Sequence, residues 1–590
     1  MRPLALLLCL IFAVSMFAAN PDVEANRQQL NQLIAQYWEY NLKQNPVFAS
    51  IIGDKRYNDQ LERTSEKAIL EDQQAKKDFL KQFEAISPAG LTQQEALNRA
   101  LEIRSLSEDI HDTDLKGWQM PVNQMDGIHL WAPQWVTILS FQTVKDYDDY
   151  VARLKQLPRL FDEATDNMRK GMANGLMPPK FLLEKVAQQA GDIAAETPEQ
   201  TPFAKPFKEF PSGFTEADKT RLKTAGLAAI KDDVLPAYSR FAKFVKDEYA
   251  PKGRTEVGVW SLPNGGAIYA FSVKRSTTTD KTPEEIHQIG LQQVAEIEQQ
   301  QLQIAKGLGY TDLKSFREAV KANPKLYARS REQILDLYRG YIAQMKPELP
   351  KLFGHLPKAD LVVMPVESFR EKDAPGAEYM MGTPDGSRPG HVEVNTSDPQ
   401  KREILTIEST AYHEGVPGHH LQLSMAQELP GLPPFRQHGF YGAYIEGWAL
   451  YSERLGKEVG FYKDPYSDYG RLEDEMLRAI RLVVDTGLHY KRWTREQVVQ
   501  YFHDHSAIDE PSVQAETNRY IAWPAQALSY KMGQLKILQL RARAQEQLGA
   551  QFDIREFHDQ VIDSGALPLD VLEEQINLWI EQKKAAGKAR

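Results

Sequence analysis

From about residue 24 to 255, apolar side chains recur every three or four positions, as at Leu30, Leu33, Ile34, Tyr37 and Trp38. That period predicts a succession of amphipathic helices. Stretches bearing Pro or Gly near 85–92, 176–179 and 198–214 divide them. The pattern changes after 255. Val257-Gly258-Val259-Trp260 and the run from Ala267 to Val273 flank Pro263-Asn264-Gly265-Gly266, which predicts a β-hairpin or paired extended segments. Thr282-Pro283-Glu284-Glu285 carries a cap, a proline for the first turn and a capping-box glutamate, so a helix is expected to start there. Strands are expected at 361–366 and 391–396, and helices again from 402 to the end. The pattern predicts a mainly α protein with a small sheet just ahead of its most informative motif. It divides into an N-terminal helical half over 20–255 and a second half over 256–590.

The N-terminus reads as an address. Met1-Arg2-Pro3 precedes an apolar run from Leu4 to Ala19, too short for a membrane span and suited to a secretory signal over 1–19 cleaved near Ala18 or Ala19. The single cysteine, Cys9, falls inside that run behind the bulky Leu8, which disfavours lipid anchoring. Cleavage leaves a mature chain without cysteine, so export to the periplasm or medium without disulfides and without stable membrane insertion is expected. The 590 residues carry 71 Lys and Arg against 81 Asp and Glu, a net charge of −10. With no basic cluster, this excludes the electrostatic footprint of a nucleic-acid binder.

The chemistry concentrates in Tyr412-His413-Glu414-Gly415-Val416-Pro417-Gly418-His419-His420-Leu421-Gln422. A His-Glu pair on a helix with a further His beyond is what a zinc hydrolase needs. Two imidazoles hold the metal, and the carboxylate beside it takes the proton of the attacking water. The usual spacing puts the second His four residues on, where this chain has Pro417. On an unbroken helix His420 returns to the face of His413 but about 10.5 Å along the axis, and Pro417 opposes an unbroken helix. A bulge at Val416-Pro417-Gly418 would instead carry His419 into the required place. The spacing leaves both histidines open. A catalytic zinc needs a third protein ligand, and Tyr444-Ile445-Glu446-Gly447-Trp448 supplies Glu446, with Glu453 two turns later as its rival.

The stretches HEGVPGHHLQ, YIEGWALYSERL, RLVVDTGLHYKRWT and RYIAWPAQALSYKMG resemble the bacterial family designated domain of unknown function 885, over about residues 25–585. That family looks like a distant relative of helical, gluzincin-like peptidases such as thimet oligopeptidase, neurolysin, angiotensin-converting enzyme and carboxypeptidase Taq. The resemblance implies a large helical zincin-like fold with a deep cleft and a small sheet beside the active-site helix. It implies one Zn2+ per chain on His413, one of His419 and His420, and Glu446, with Glu414 as general base. Tyr520 and Tyr530 are implied as oxyanion donors, because those peptidases use late tyrosines. The relatives also carry Asp or Ser three or four residues after the ligand glutamate, where this chain has Ala449 and Leu450.

Other expectations come from the residues themselves. Asp485 and His489, four apart on one helix face, could back a ligand histidine or simply contact each other. Arg481 on that face could hold a substrate carboxylate. The strand at 391–396 would pair as an exposed edge with an extended peptide, with Asn395 touching its backbone. His503 and His505 lack a third partner and read as a polar loop. The expected activity is peptide hydrolysis. Two alternatives remain, hydrolysis of a non-peptide amide and metal binding without catalysis. Glu414 argues against the last, because a purely structural zinc favours four closed ligands.

Overall fold

The computed structural model describes residues 21–366, 371, 374–383 and 388–588; the leader expected over 1–19, with Cys9, lies outside them. One compact unit comprises residues 21–44 and 67–114. Its first helix, Pro21–Gln44, buries Leu30, Leu33, Ile34 and Tyr37, and Tyr37 packs on Phe79 and Phe83. The i, i+3, i+4, i+7 spacing seen in the sequence thus sets the buried stripe. The second unit comprises 45–66 and 115–588, so residues on both sides of position 255 belong to it. Its earlier part is helical around an aromatic core that includes Trp135, Phe161, Phe203, Phe207, Tyr238 and Phe241.

The expected hairpin is replaced by a 3-10 turn, Val259–Ser261, and helix α1, Gly265–Thr277. Tyr269, Val273 and Thr277 are buried at intervals of four, so the run that reads as alternation also satisfies a helical face. Asn264 turns the chain with φ 58°, and a side chain on Gly265 would stand 2.1 Å from the Val259 carbonyl oxygen. The fold-back is too tight for paired strands. Helix α2, Pro283–Gly307, begins with the expected capping box at Thr282 and Glu285. Helix α3, Arg331–Met345, follows.

The sheet holds β1 (Leu361–Pro365), β2 (Ala377–Met380) and β3 (Gly390–Val394) in the order β1-β3-β2. β3 runs parallel to β1 with Leu361 opposite Gly390, and antiparallel to β2 with Ala377 opposite Val394. The strand expected to be an exposed edge is therefore the central one. Val392 and Val394 are fully buried between its neighbours, and β2 carries an open edge among the described residues.

Further along the chain lie helices α4 (Ile407–Glu414), α5 (His419–Glu428), α6 (Gly442–Glu458), α7 (Pro465–His489), α8 (Glu510–Ala522) and α9 (Ser529–Leu548). α4 packs among α3, α6 and α7 and against β2, and α5 packs on β3. α6 crosses α9 at two glycines. A β-carbon on Gly533 would stand 1.8 Å from the Ala443 carbonyl oxygen and 2.6 Å from Gly447 Cα, so only hydrogen fits at the crossing. Gly533→Ala should therefore force the helices apart and destabilise the protein by about 1–3 kcal/mol, read from the urea midpoint. An unchanged midpoint would show the crossing to be yielding.

Candidate metal centre

The site begins where α4 stops. His413 and Glu414 occupy its last turn, the chain breaks at Gly415-Val416-Pro417-Gly418, and α5 starts at His419. An uninterrupted helix would bond each N–H to the carbonyl four residues back. Here Gly418 N–H reaches the Tyr412 carbonyl, six back, at 2.9 Å. The break thus inserts two residues, and His419, six after His413, takes the position normally four after it. Gly418 is required, since a β-carbon there would lie 1.9 Å from the His413 carbonyl oxygen. Trp448 Nε1 on α6 donates to the Pro417 carbonyl at 2.9 Å and ties the break to the helix bearing Glu446.

The ligand-type atoms of His413, His419 and Glu446 lie within 4.8 Å of one another. Glu446 Oε2 stands 3.6 Å from His413 Nε2 and 3.5 Å from His419 Nε2. The two rings are perpendicular with centroids 4.8 Å apart. Glu414 Oε1 sits 4.0 Å from His413 Nε2, beside this group. Behind it, His413 Nδ1 donates to Glu453 Oε1 at 2.8 Å, which turns Nε2 toward Glu446. Glu453 is therefore the partner of a histidine and not the rival third ligand. The i, i+7 spacing from Glu446 was the sequence signal for it.

Both imidazoles are buried and Glu446 is largely so, and the electrostatics follow. Burial pulls His413 down, but hydrogen bonds to Glu446 and Glu453 prevail and raise it to about 10. Burial opposes the charge on Glu446, yet its bonds to His413 and His419 hold it well below the usual carboxylate range. Burial pushes Glu414 up, which makes it a stronger base than a free carboxylate. Two groups unnoticed in the sequence act on Glu414 or its neighbours. The buried phenol of Tyr338 on α3 feels its charge, and Arg478 on α7, paired with Asp474 at 2.9 Å, acts on both Glu414 and Glu453.

His420 turns away from the group. Its Nε2 donates to the Ala359 carbonyl at 3.2 Å and its Nδ1 accepts from the Tyr379 hydroxyl at 3.1 Å; burial lowers it to about 4. Of the two histidines left open by the spacing, His419 joins the cluster and His420 does not.

Several expected residues also lie elsewhere. Asp485 accepts from the Tyr269 hydroxyl at 2.6 Å and from Ala525 N–H, with burial raising it to about 7. His489 accepts from Val259 N–H at 3.0 Å and donates to the Tyr520 carbonyl at 2.9 Å. They neither back a ligand histidine nor bond each other; α7 instead uses them to anchor the chain before α1 and after α8. Asn395 is spent on the carbonyls of Glu371 and Ala374 and on Ser397, so it closes a turn and offers nothing to a substrate. Arg481 directs Nε and Nη2 at Glu516, at 3.1 and 2.9 Å, and its guanidinium lies over the Tyr530 ring. The fork expected to take a substrate carboxylate is already filled.

Tyr520 is fully buried and donates to Glu516. Tyr530 accepts from Arg519 Nη2 at 3.2 Å and keeps its own proton to donate. Of the two tyrosines it is the one electrostatically linked, through Arg478, to the Glu453 side of the cluster. His503 and His505 pair singly with Glu510 and Glu298.

A mainly helical chain with a three-stranded mixed sheet and a His-His-Glu cluster at a broken helix is the class that fold and site define. The chain belongs to the family of bacterial proteins of unknown function designated DUF885, whose model matches residues 46–576. It is similar to a solved structure from Colwellia psychrerythraea described as a "putative lipoprotein", at 31% identity, covering 94% of this chain and 100% of that one, with a TM-score of 0.90. A second, from Shewanella oneidensis and described as a "putative lipoprotein of unknown function", shares the fold at 18% identity and a TM-score of 0.72, over 92% of this chain and 99% of that one. No curated protein matches the chain. Among the described residues no helix is long and apolar enough to cross a membrane.

In chelated protein, the charge on His413 contributes stability that is complete below about pH 6.5 and is lost as pH rises through about 10. Glu453→Gln should move the His413 titration, followed by NMR, below that value and bring the loss of stability to lower pH. An unmoved titration would show that Glu453 does not support the imidazolium.

Proposed function

We propose that the protein is an exported zinc-dependent metallopeptidase that hydrolyses peptides, with the zincin-like helical architecture expected from its motifs. The observation that carries this reading is the convergence of His413, His419 and Glu446 within 4.8 Å, with Glu414 beside them and outside the ligand set. Two imidazoles and one carboxylate are the donor set of a catalytic zinc site that keeps a position open. A bound zinc would supply Lewis acidity toward the scissile carbonyl and toward water. The chain's own groups do the rest. Glu414 takes a proton from the attacking water and returns it to the leaving amine, a task that its burial favours. Glu453 keeps His413 in the tautomer whose Nε2 faces the ion. Tyr530, with its hydroxyl proton unspent, is the candidate donor to the developing oxyanion.

Peptide as substrate is supported by the place of β2, which among the described residues is an edge strand of the sheet and packs against α4, a position from which extended chains are recognised by strand addition. Export is supported by the leader, and the relatives' description as lipoproteins returns weight to Cys9 as an acylated residue. Mass analysis of the mature N-terminus distinguishes that from cleavage near Ala18 or Ala19.

Purified protein should hold about one zinc per chain, as in catalytic sites of this donor type. Glu414→Gln should keep the zinc and lose peptide hydrolysis by about 10²- to 10⁴-fold, the worth of a general base. Full activity of that variant on a peptide pool would overturn the mechanism. His419→Ala should lose the metal while His420→Ala retains it, read by metal analysis; the reverse would overturn the ligand assignment.

A further inference from the structure

Helix α5 has two working faces. His419 points to the ligand cluster, and His420, one residue or about 100° further round the helix, points to the sheet. The sheet-facing side continues through Ser424, Gln427 and Glu428, at the four-, seven- and eight-residue spacing of one helical face. Ser424 Oγ lies 3.4 Å from His420 Nδ1. Gln427 donates to the Gly382 carbonyl just beyond β2 at 3.3 Å, and Glu428 accepts the N–H groups of Lys358 and Ala359 just before β1, at 2.8 and 3.0 Å.

His420 sits where all three strands meet. It bonds the carbonyl of Ala359 at the entry to β1 and the hydroxyl of Tyr379 in β2. A β-carbon on Gly390, the first residue of β3, would lie 2.9 Å from its Nδ1 and 2.5 Å from the Tyr379 hydroxyl, so β3 closes on this pair with no room for a side chain.

We infer that His420 is a positioning residue: it clamps the ends of β1, β2 and β3 to the helix that carries His419, and so fixes the open edge of β2 relative to the ligand cluster. A neutral ring that donates from Nε2 and accepts at Nδ1 fills both bonds at once, which a metal ligand in the same place could not. The kinetic part of the inference rests on the proposed peptidase reading; the structural part stands without it.

The test compares Tyr379→Phe, which removes one hydroxyl, with His420→Phe. Both should retain zinc as the unaltered protein does. Amide hydrogen exchange over 377–380 should accelerate about five- to tenfold in Tyr379→Phe, the worth of one lost hydrogen bond, and at least as much in His420→Phe, which also loses the bond to Ala359, while 407–414 stays unchanged. The double variant should be no faster than His420→Phe, because the two residues form one contact. KM for an extended peptide should rise by a similar factor, with kcat held within about twofold, since the loss falls on substrate placement. Zinc loss in His420→Phe, or exchange over 377–380 unaltered in both variants, would overturn the clamp. If the unaltered protein cleaves no peptide, the peptidase reading fails, and exchange together with zinc content still decides the clamp.

Discussion

The structure around the candidate site depends on a single irregular hydrogen bond, from Gly418 N–H to the Tyr412 carbonyl. A helix that continued through Pro417 would lose a backbone bond and clash with the preceding turn. The chain stops instead, spends two extra residues, and restarts at His419 with the carbonyls of Tyr412 and His413 pressed against Gly418. That restart is what sends His419 toward His413 and His420 toward the sheet. A break one residue shorter or longer would rotate α5 by about 100° and exchange the two histidines' surroundings.

The break is held from α6, and α6 is held from α9. Trp448 fixes the Pro417 carbonyl; one residue before it, about 100° round the helix, Gly447 lets the α9 backbone approach; Glu446 and Glu453 then project toward α4. Glu446 and Glu453, two turns apart, meet opposite nitrogens of the same imidazole, so the direction of the His413 ring is set at both ends by one rigid element.

Much of this was legible in the sequence. The helical succession, the capping box at Thr282, the strands near 361 and 391, and the cluster candidates His413, Glu446 and the His419–His420 pair all follow from period and spacing. What escaped did so for physical reasons. The Ala267–Val273 run satisfies periods of two and four at once, and only the fold-back at Gly265 decides between them. β2 is four residues long and carries no distinguishing pattern, so β3 was read as an edge. Arg481, Asn395, Asp485 and His489 are polar residues whose partners, Glu516, Glu371, Tyr269 and Val259, lie between 24 and 230 residues away in sequence. A single chain gives no signal for such pairs. Local spacing found Glu453 and distant pairing removed Arg481, which marks where sequence reasoning stops.

The charges at the site point the same way as the geometry. Glu453 is fully buried and Glu414 and Glu446 are largely so around two histidines, and burying carboxylates without compensation is costly. In the protein alone, the compensation comes from a proton held more tightly on His413 and from the Arg478 guanidinium, which acts on Glu414 and Glu453. Elsewhere this chain pairs buried carboxylates directly with arginine or lysine, as with Arg481 and Glu516 or Lys531 and Glu475. Here it supplies imidazoles, which can give up a proton and leave lone pairs. A divalent cation that took the place of that proton would neutralise more of the carboxylate charge than the proton does and would meet donors already converging on it.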